Sequence, residues 1–166
     1  MSDALIYIGV LLVVLLFGVV FLGAPYVPTR QRDVQKIMKY VGPKDVLVDL
    51  GSGDGRLMWQ AAQQCIKSYG IELSPLLALL SWLRLRSVRD YATIRWSNYW
   101  RVELPVDTTV VFVFLADPFM QKLRRYLEAE TLRLNKPLTL ISYGFALPDY
   151  RPIKTDGALL VYEIKP

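Results

Sequence analysis

The sequence predicts an α/β fold: a mostly parallel sheet with flanking helices, preceded by one N-terminal transmembrane helix. Three features carry that expectation. Short apolar runs alternate with helical patterns from residue 46 onward. Gly51, Gly53 and Gly55 crowd the turn between the first run and the first helical pattern. Residues 4–24, ALIYIGVLLVVLLFGVVFLGA, carry no charge at all.

The N-terminal run sets the organisation. As a helix, 21 residues reach about 31 Å, close to the ~30 Å of a bilayer's hydrocarbon core. A cleaved signal peptide is the rival reading, but such peptides have a positive n-region and a shorter core, and this one offers only Asp3. A buried soluble helix would need a polar face, which the run lacks. Arg30, Arg32, Lys36 and Lys39 follow the span and nothing positive precedes it. The positive-inside rule then puts the C-terminal part on the cytoplasmic side. The absence of an Arg-rich presequence favours a prokaryotic plasma membrane over a mitochondrial inner membrane. The expected division is an anchor at 1–24, a linker and N-terminal helix at 25–45, and a domain at 46–166.

PYVPTR (25–30) is a stiff connection, because two prolines fix φ. Val34, Ile37, Met38 and Val41 recur at helical spacing and predict an amphipathic helix over 33–41. GPKD (42–45) is a turn. Val46–Leu50 reads as a buried strand, Arg56–Lys67 as a helix, and Tyr69–Leu73 as a second strand. Ser74-Pro75 starts a helix running to about Arg89, with proline at the first helical position. Ala92–Trp96 is the third strand. TTVVFVFL (108–115) has the β-branched and aromatic content of a central strand buried on both faces. A helix over Phe119–Leu134, a strand over Leu138–Tyr143 and a last strand over Ala158–Ile164 complete the pattern.

Composition excludes several chemistries. The chain has no histidine, so imidazole bases, histidine triads and HExxH zinc sites are out. One cysteine, Cys65, permits no disulfide framework and no thiolate metal site, and its helical setting suggests a small core residue. No metal is expected. Net charge is +5, mostly from the four cations after the span, and the rest are scattered over helices. That distribution suits an anionic membrane surface better than nucleic acid.

The glycine spacing selects a ligand. A strand, a glycine turn and a helix make a nucleoside or phosphate site at the carboxyl edge of a Rossmann-like sheet. The dinucleotide pattern is G-x-G-x-x-G, whereas here the order is G-x-G-x-G with Asp54 between the last two glycines. A negative charge there opposes a pyrophosphate and tolerates a cationic ligand. No G-K-[ST] follows, which excludes a P-loop. Glu72, ending the second strand, can accept from both ribose hydroxyls; read alone, it is only a solvated strand end. Asp49, the bare backbone of Gly51 and Gly53, and Glu72 together suit S-adenosylmethionine, with Asp49 toward the methionine ammonium.

VLVDLGSGDGRL (46–57) and GIEL (70–73) resemble motif I and its partner in class I, seven-β-strand methyltransferases. With the apolar N-terminus and PYVPTR, the chain resembles the membrane-anchored protein-lysine methyltransferases of the ADP/ATP carrier and ATP synthase c-subunit type. The resemblance implies cofactor contacts from Asp49, Gly51, Ser52, Gly53 and Glu72, closure of Tyr26 and Thr29 over the methionine end, and Asn98 near adenine. The implied acceptor is lysine on a membrane protein. At a reference pKa near 10.4, neutralising lysine at pH 7 costs roughly 4 to 5 kcal/mol, and an apolar pocket lowers that cost.

Two segments are candidates for that pocket. Asp117-Pro118-Phe119 follows the central strand and resembles a [DN]-P-P-[YF] motif lacking one proline; equally, Asp117 could cap the next helix. Tyr99 and Trp100 in SNYW (97–100) could pack on adenine or on the target side chain, or be core. Two rival functions remain open: a methyltransferase of a lipid, quinone or small amphiphile, and a non-catalytic cofactor-binding membrane module.

Overall fold

A computed structural model describes residues 29–166 together with Ile6, Tyr7 and Gly9. The apolar run 4–24, those three residues apart, lies outside the described residues, as does Tyr26. Among the described residues, no helix is long and apolar enough to cross a membrane.

The chain runs α1 (Gln31–Met38), β1 (Val46–Leu50), α2 (Arg56–Ala62), β2 (Lys67–Glu72), α3 (Pro75–Leu85), β3 (Ala92–Trp96), β4 (Val110–Val113), α4 (Met120–Leu134), β5 (Leu138–Tyr143), β6 (Lys154–Asp156) and β7 (Leu159–Ile164). Single 3-10 turns at Tyr99–Arg101 and Asp117–Phe119 follow β3 and β4. The strands form one sheet of order β3-β2-β1-β4-β5-β7-β6. Pairing is parallel from β3 to β5 and antiparallel around β7.

Strand alternation divides the core into two layers. Val48, Leu50, Val111, Val113 and Leu140 pack with Leu123 and Leu127 of α4. Leu47, Val110, Phe112 and Ile141 pack with Val34 and Ile37 of α1 and Leu57 of α2. A smaller cluster joins Met58 and Ala62 of α2 to Leu85 of α3 and Ala92 of β3. Each fully buried aliphatic side chain contributes about 1.5 to 3 kcal/mol, and together they fix the strand register on which the site depends.

Several expected bounds shift: the helix over 33–41 runs Gln31–Met38 and the strand over 69–73 runs Lys67–Glu72, and three further elements differ for a local reason. The helix over 56–67 stops at Ala62, because Cys65 adopts φ 56° and the Ile66 N–H donates to Ala61 O at 3.0 Å. That closure favours glycine or asparagine at Cys65's position, and cysteine gives no warning of it. Cys65 is therefore exposed and not a core residue. The next helix ends at Leu85, four residues short of Arg89. Thr108 and Thr109 stay out of β4, each committed to a loop bond: the Thr108 hydroxyl donates to Pro105 O, and the Thr109 hydroxyl donates to Asp45. The short edge strand β6 has no sequence signal, since KTD has neither apolar alternation nor length.

Candidate functional site

Asp49, Gly51 and Ser52 lie at the carboxyl end of β1, Glu72 at that of β2, Asn98 and Tyr99 just past β3, and Asp117–Phe119 just past β4. The sheet order reverses between β1 and β4, the switch point where open α/β sheets bind ligands.

The glycine loop is fixed by its backbone. Gly51, Gly53 and Gly55 have φ of 88°, 56° and 74°, a region that L-residues enter at a cost. The Gly51 and Ser52 N–H groups both donate to Ile71 O, at 2.8 and 3.2 Å. Gly53 N–H donates to Glu72 Oε2 and Ser74 N–H to Glu72 Oε1, both at 2.8 Å. Glu72 is thus buried and clamps the glycine loop to the start of α3, while its backbone carbonyl accepts from Ser97 N–H at 2.9 Å. The sequence reading as a mere strand end is excluded by these bonds, and each carboxylate oxygen retains a second lone pair.

Two features of the loop leave room for a ligand. A Cβ built on Gly51 meets nothing within 4 Å among the described residues, whereas one on Gly55 falls 2.3 Å from Ser81 Oγ and one on Gly70 falls 2.2 Å from Met58 Sδ. Gly51 therefore faces space that no described residue fills, and Gly55 and Gly70 serve close packing. The Ser52 hydroxyl is buried with no hydrogen-bond partner among the described residues.

The Asp49 carboxyl is buried and hydrogen-bonds to no described residue. Burial pushes its carboxyl from 3.8 up to about 8, with help from the charges of Glu72 and Asp54. It is therefore largely protonated at neutral pH until a cation arrives. A folded pKa raised this way contributes stability that is fully present below about 4 and lost as pH rises through about 8. Binding of a cationic ammonium should draw the proton off. We expect affinity for S-adenosylhomocysteine to rise from pH 6 to pH 8, approaching tenfold per pH unit at the acid end. Asp49→Asn should flatten that dependence in calorimetry. An unchanged slope in the variant would assign the titration elsewhere.

Asp54 corrects an expectation. It does not present free charge to a ligand: Arg56 Nη2 lies 2.8 Å and Arg84 Nη1 2.5 Å from its Oδ2. Although burial acts to raise its pKa, the hydrogen bonds and charges of both arginines hold it at about 2. The same Arg56 donates from Nη1 to the carbonyl of Thr29 at 2.8 Å, tying the N-terminal approach to the head of α2. Thr29 thus reaches this edge through its backbone. The arginine pair was missed, although the run DGR already places Arg56 two residues from Asp54.

Asn98 Oδ1 accepts from Trp100 N–H at 3.0 Å and caps the 3-10 turn. Tyr99 and Trp100 are half-buried, with ring centroids 4.6 Å apart, and Trp100 meets Tyr126 edge-on at 6.2 Å. Lys122 Nζ sits 4.4 Å from the Trp100 centroid. Burial, then the charge of Glu72, pushes the Tyr99 phenol up to about 12, so it stays neutral and keeps its O–H to donate. Of the readings of SNYW, the structure shows the packing one: both Tyr99 and Trp100 pack against the core, and Tyr99 also lies within the field of Glu72. Asp117, Pro118 and Phe119 are exposed, and Asp117 caps neither its own turn nor α4. The capping alternative is thereby removed.

Among the described residues, no group of acids and cysteine could hold a metal ion. A separate depression of about 510 Å³ lies between Arg32 and Lys36 of α1 and Tyr143 and Asp156, and it contains none of these residues.

Residues 49–154 match the family described as the ANTKMT methyltransferase domain. An ATP synthase c-subunit lysine N-methyltransferase of Rattus norvegicus is 33% identical, covering 80% of this chain and 61% of its own length. An adenine nucleotide translocase lysine N-methyltransferase of Mus musculus is 35% identical over 82% of this chain and 59% of its own. A protein-lysine N-methyltransferase of Saccharolobus islandicus is 30% identical over 77% of this chain and 81% of its own. This chain thus spans about six-tenths of the length of those two mammalian relatives. Among solved structures, an RNA methyltransferase from Salinibacter ruber in complex with S-adenosyl-L-homocysteine superposes with TM-score 0.73 at 27% identity, over 83% of this chain and 92% of that one.

Proposed function

The chain belongs to the ANTKMT methyltransferase family, and on that premise we propose that it is a membrane-anchored S-adenosylmethionine-dependent methyltransferase that N-methylates lysine on a membrane protein. The observation that carries the cofactor assignment is the buried Asp49 carboxylate, without a partner among the described residues, beside a glycine loop open at Gly51. An ammonium group fits Asp49, an amino-acid backbone fits over Gly51 and Gly53, the free Ser52 hydroxyl offers a donor, and the second lone pairs of Glu72 suit ribose hydroxyls. Tyr26 and Thr29 would close the methionine end, and Asn98 would stand near adenine.

S-adenosylmethionine, when bound, supplies a methyl group on a sulfonium, ready for in-line displacement. The chain's own residues then position the acceptor amine, and positioning alone can supply much of the rate. Tyr99 and Phe119 would line an apolar approach that favours neutral lysine, with Asp117 and Pro118 holding the amine from the β4 side. The neutral Tyr99 phenol is no base at physiological pH, and a histidine-free chain leaves the acceptor's proton to water.

The anchor is residues 4–24, followed by the domain on the cytoplasmic side, favouring a prokaryotic plasma membrane. Two relatives named for membrane-embedded substrates, the ATP synthase c-subunit and the adenine nucleotide translocase, support a membrane-protein acceptor. The Salinibacter ruber neighbour favours RNA as a second reading.

Membranes and total RNA from cells lacking the gene should be incubated with purified protein and tritiated S-adenosylmethionine. We expect label in a membrane-protein band, released as methyllysine on hydrolysis. Label confined to RNA, or to the organic phase, would replace the lysine reading by an RNA or lipid acceptor. Cofactor binding without any transfer would favour the non-catalytic module.

A further inference from the structure

The outer face of α3 is apolar where a solvated helix is normally polar. Ala78, Ser81 and Leu85 are its buried residues, packed toward α2 and β3. On the opposite side, Leu76, Leu79, Leu80 and Leu83 recur at i, i+3, i+4 and i+7. They are 49%, 53%, 45% and 51% exposed. That stripe runs about 10 Å along the helix. Trp82, 56% exposed, borders it, and Trp96 at the end of the edge strand β3 is 67% exposed. Arg86, Arg89 and Arg95 are exposed around it and pair with no described acid, while Asp90 is the one acid between residues 73 and 96.

We propose that this face, the leucine stripe of α3 with Trp82 and Trp96, docks into the interface of a bilayer carrying anionic headgroups. The proposal rests on the anchoring reading above. Leucines flanked by tryptophan and arginine are the composition of helices that lie in the headgroup boundary. Aromatic rings settle at that depth, and each basic group near an anionic leaflet adds attraction.

The path of the chain points to the same occupant. The apolar run joins the fold at Thr29, whose carbonyl is held by Arg56; Arg56 pairs with Asp54, and Asp54 with Arg84 of α3. The point where the proposed anchor joins the fold is thus two ion pairs from the exposed helix. Docking would hold the domain by two attachments, with the start of α3 and the glycine loop at headgroup depth. A second copy of the chain is a poorer occupant, because a two-fold contact would bring the unpaired arginine rims together.

The test uses the full chain, reconstituted into vesicles of phosphatidylcholine and phosphatidylglycerol containing nitroxide-labelled lipid. On a Cys65→Gly background, an environment-sensitive fluorophore is attached at Leu79→Cys, at Leu132→Cys on the outer face of α4, or at Val14→Cys in the apolar run. Expected is loss of most fluorescence at positions 79 and 14, with little loss at 132. Quenching at 14 but not at 79 overturns the docking face and leaves the anchor standing. Quenching at 79 but not at 14 supports the face and removes the anchor. A label at 79 shielded from both lipid nitroxide and aqueous iodide means that protein covers the stripe, which also overturns the proposal.

Discussion

Glu72→Ala is expected to weaken binding of S-adenosylhomocysteine by at least about tenfold, and by up to about a hundredfold. Hydrogen bonds to a charged acceptor are worth roughly 1.5 to 3 kcal/mol, and each 1.4 kcal/mol is about tenfold in affinity. The loss has a second source. Glu72 receives the N–H groups of Gly53 and Ser74 at 2.8 Å, so alanine also leaves two donors without their acceptor and frees the glycine loop. Glutamine is no rescue, because its NH₂ would oppose one of those two N–H groups. Loss of folding must be separated from loss of the site. Thr131→Val serves as the control: it strips a buried hydroxyl bonded to the carbonyls of Glu128 and Lys165, in the last turns of α4. Calorimetry should show that variant binding normally despite a lowered melting temperature. Unchanged affinity in Glu72→Ala would remove the ribose assignment.

The division between what could and could not be read from sequence follows the range of the forces involved. Val46–Leu50 and Leu138–Tyr143 lie in the structure where their apolar runs place them, and the edge strand Ala92–Trp96 also keeps its expected bounds. Buried strands write their pattern into consecutive residues. Ser74 starts α3 as expected, accepting from Leu77 N–H, because a cap is a contact between near neighbours. The end of α2 was hidden, since Cys65 takes a left-handed conformation with none of the usual residue signals. The neutralisation of Asp54 is hidden from sequence for a related reason: Arg84, which helps neutralise it, is 30 residues away in sequence and arrives only through the packing of α3 on α2. Gathering Asp49, Gly51, Ser52, Glu72, Asn98 and Tyr99 at one edge was legible, because strand–turn–helix order dictates which strand ends become neighbours. The exposed leucine stripe was read simply as helix. Periodicity identifies an apolar face and is silent on which face meets the core.

The glycine loop supplies the sharpest separation of folding from binding. Gly55→Ala should destabilise the fold by about 2 to 5 kcal/mol, combining strain at a positive φ with overpacking. Its Cβ would fall 2.3 Å from Ser81 Oγ and 3.3 Å from the Ser81 Cα, so a side-chain rotation alone cannot clear the clash. Ser81→Gly should partly restore the Gly55→Ala variant in a double-mutant cycle, since it removes the two nearest atoms at a helix cost of about 1 kcal/mol. Gly51→Ala should behave in the opposite way. Its φ of 88° carries a strain of about 1 to 2 kcal/mol, but its new methyl meets no described residue within 4 Å. The melting temperature should fall by only a few degrees, while the methyl occupies space that the cofactor's amino-acid portion needs. Binding to Gly51→Ala as tight as to the parent chain would show that the open side of the loop is not where the ligand sits. Weak binding at near-parental stability would place it there and leave Gly55 as the residue that lets α3 close against the loop.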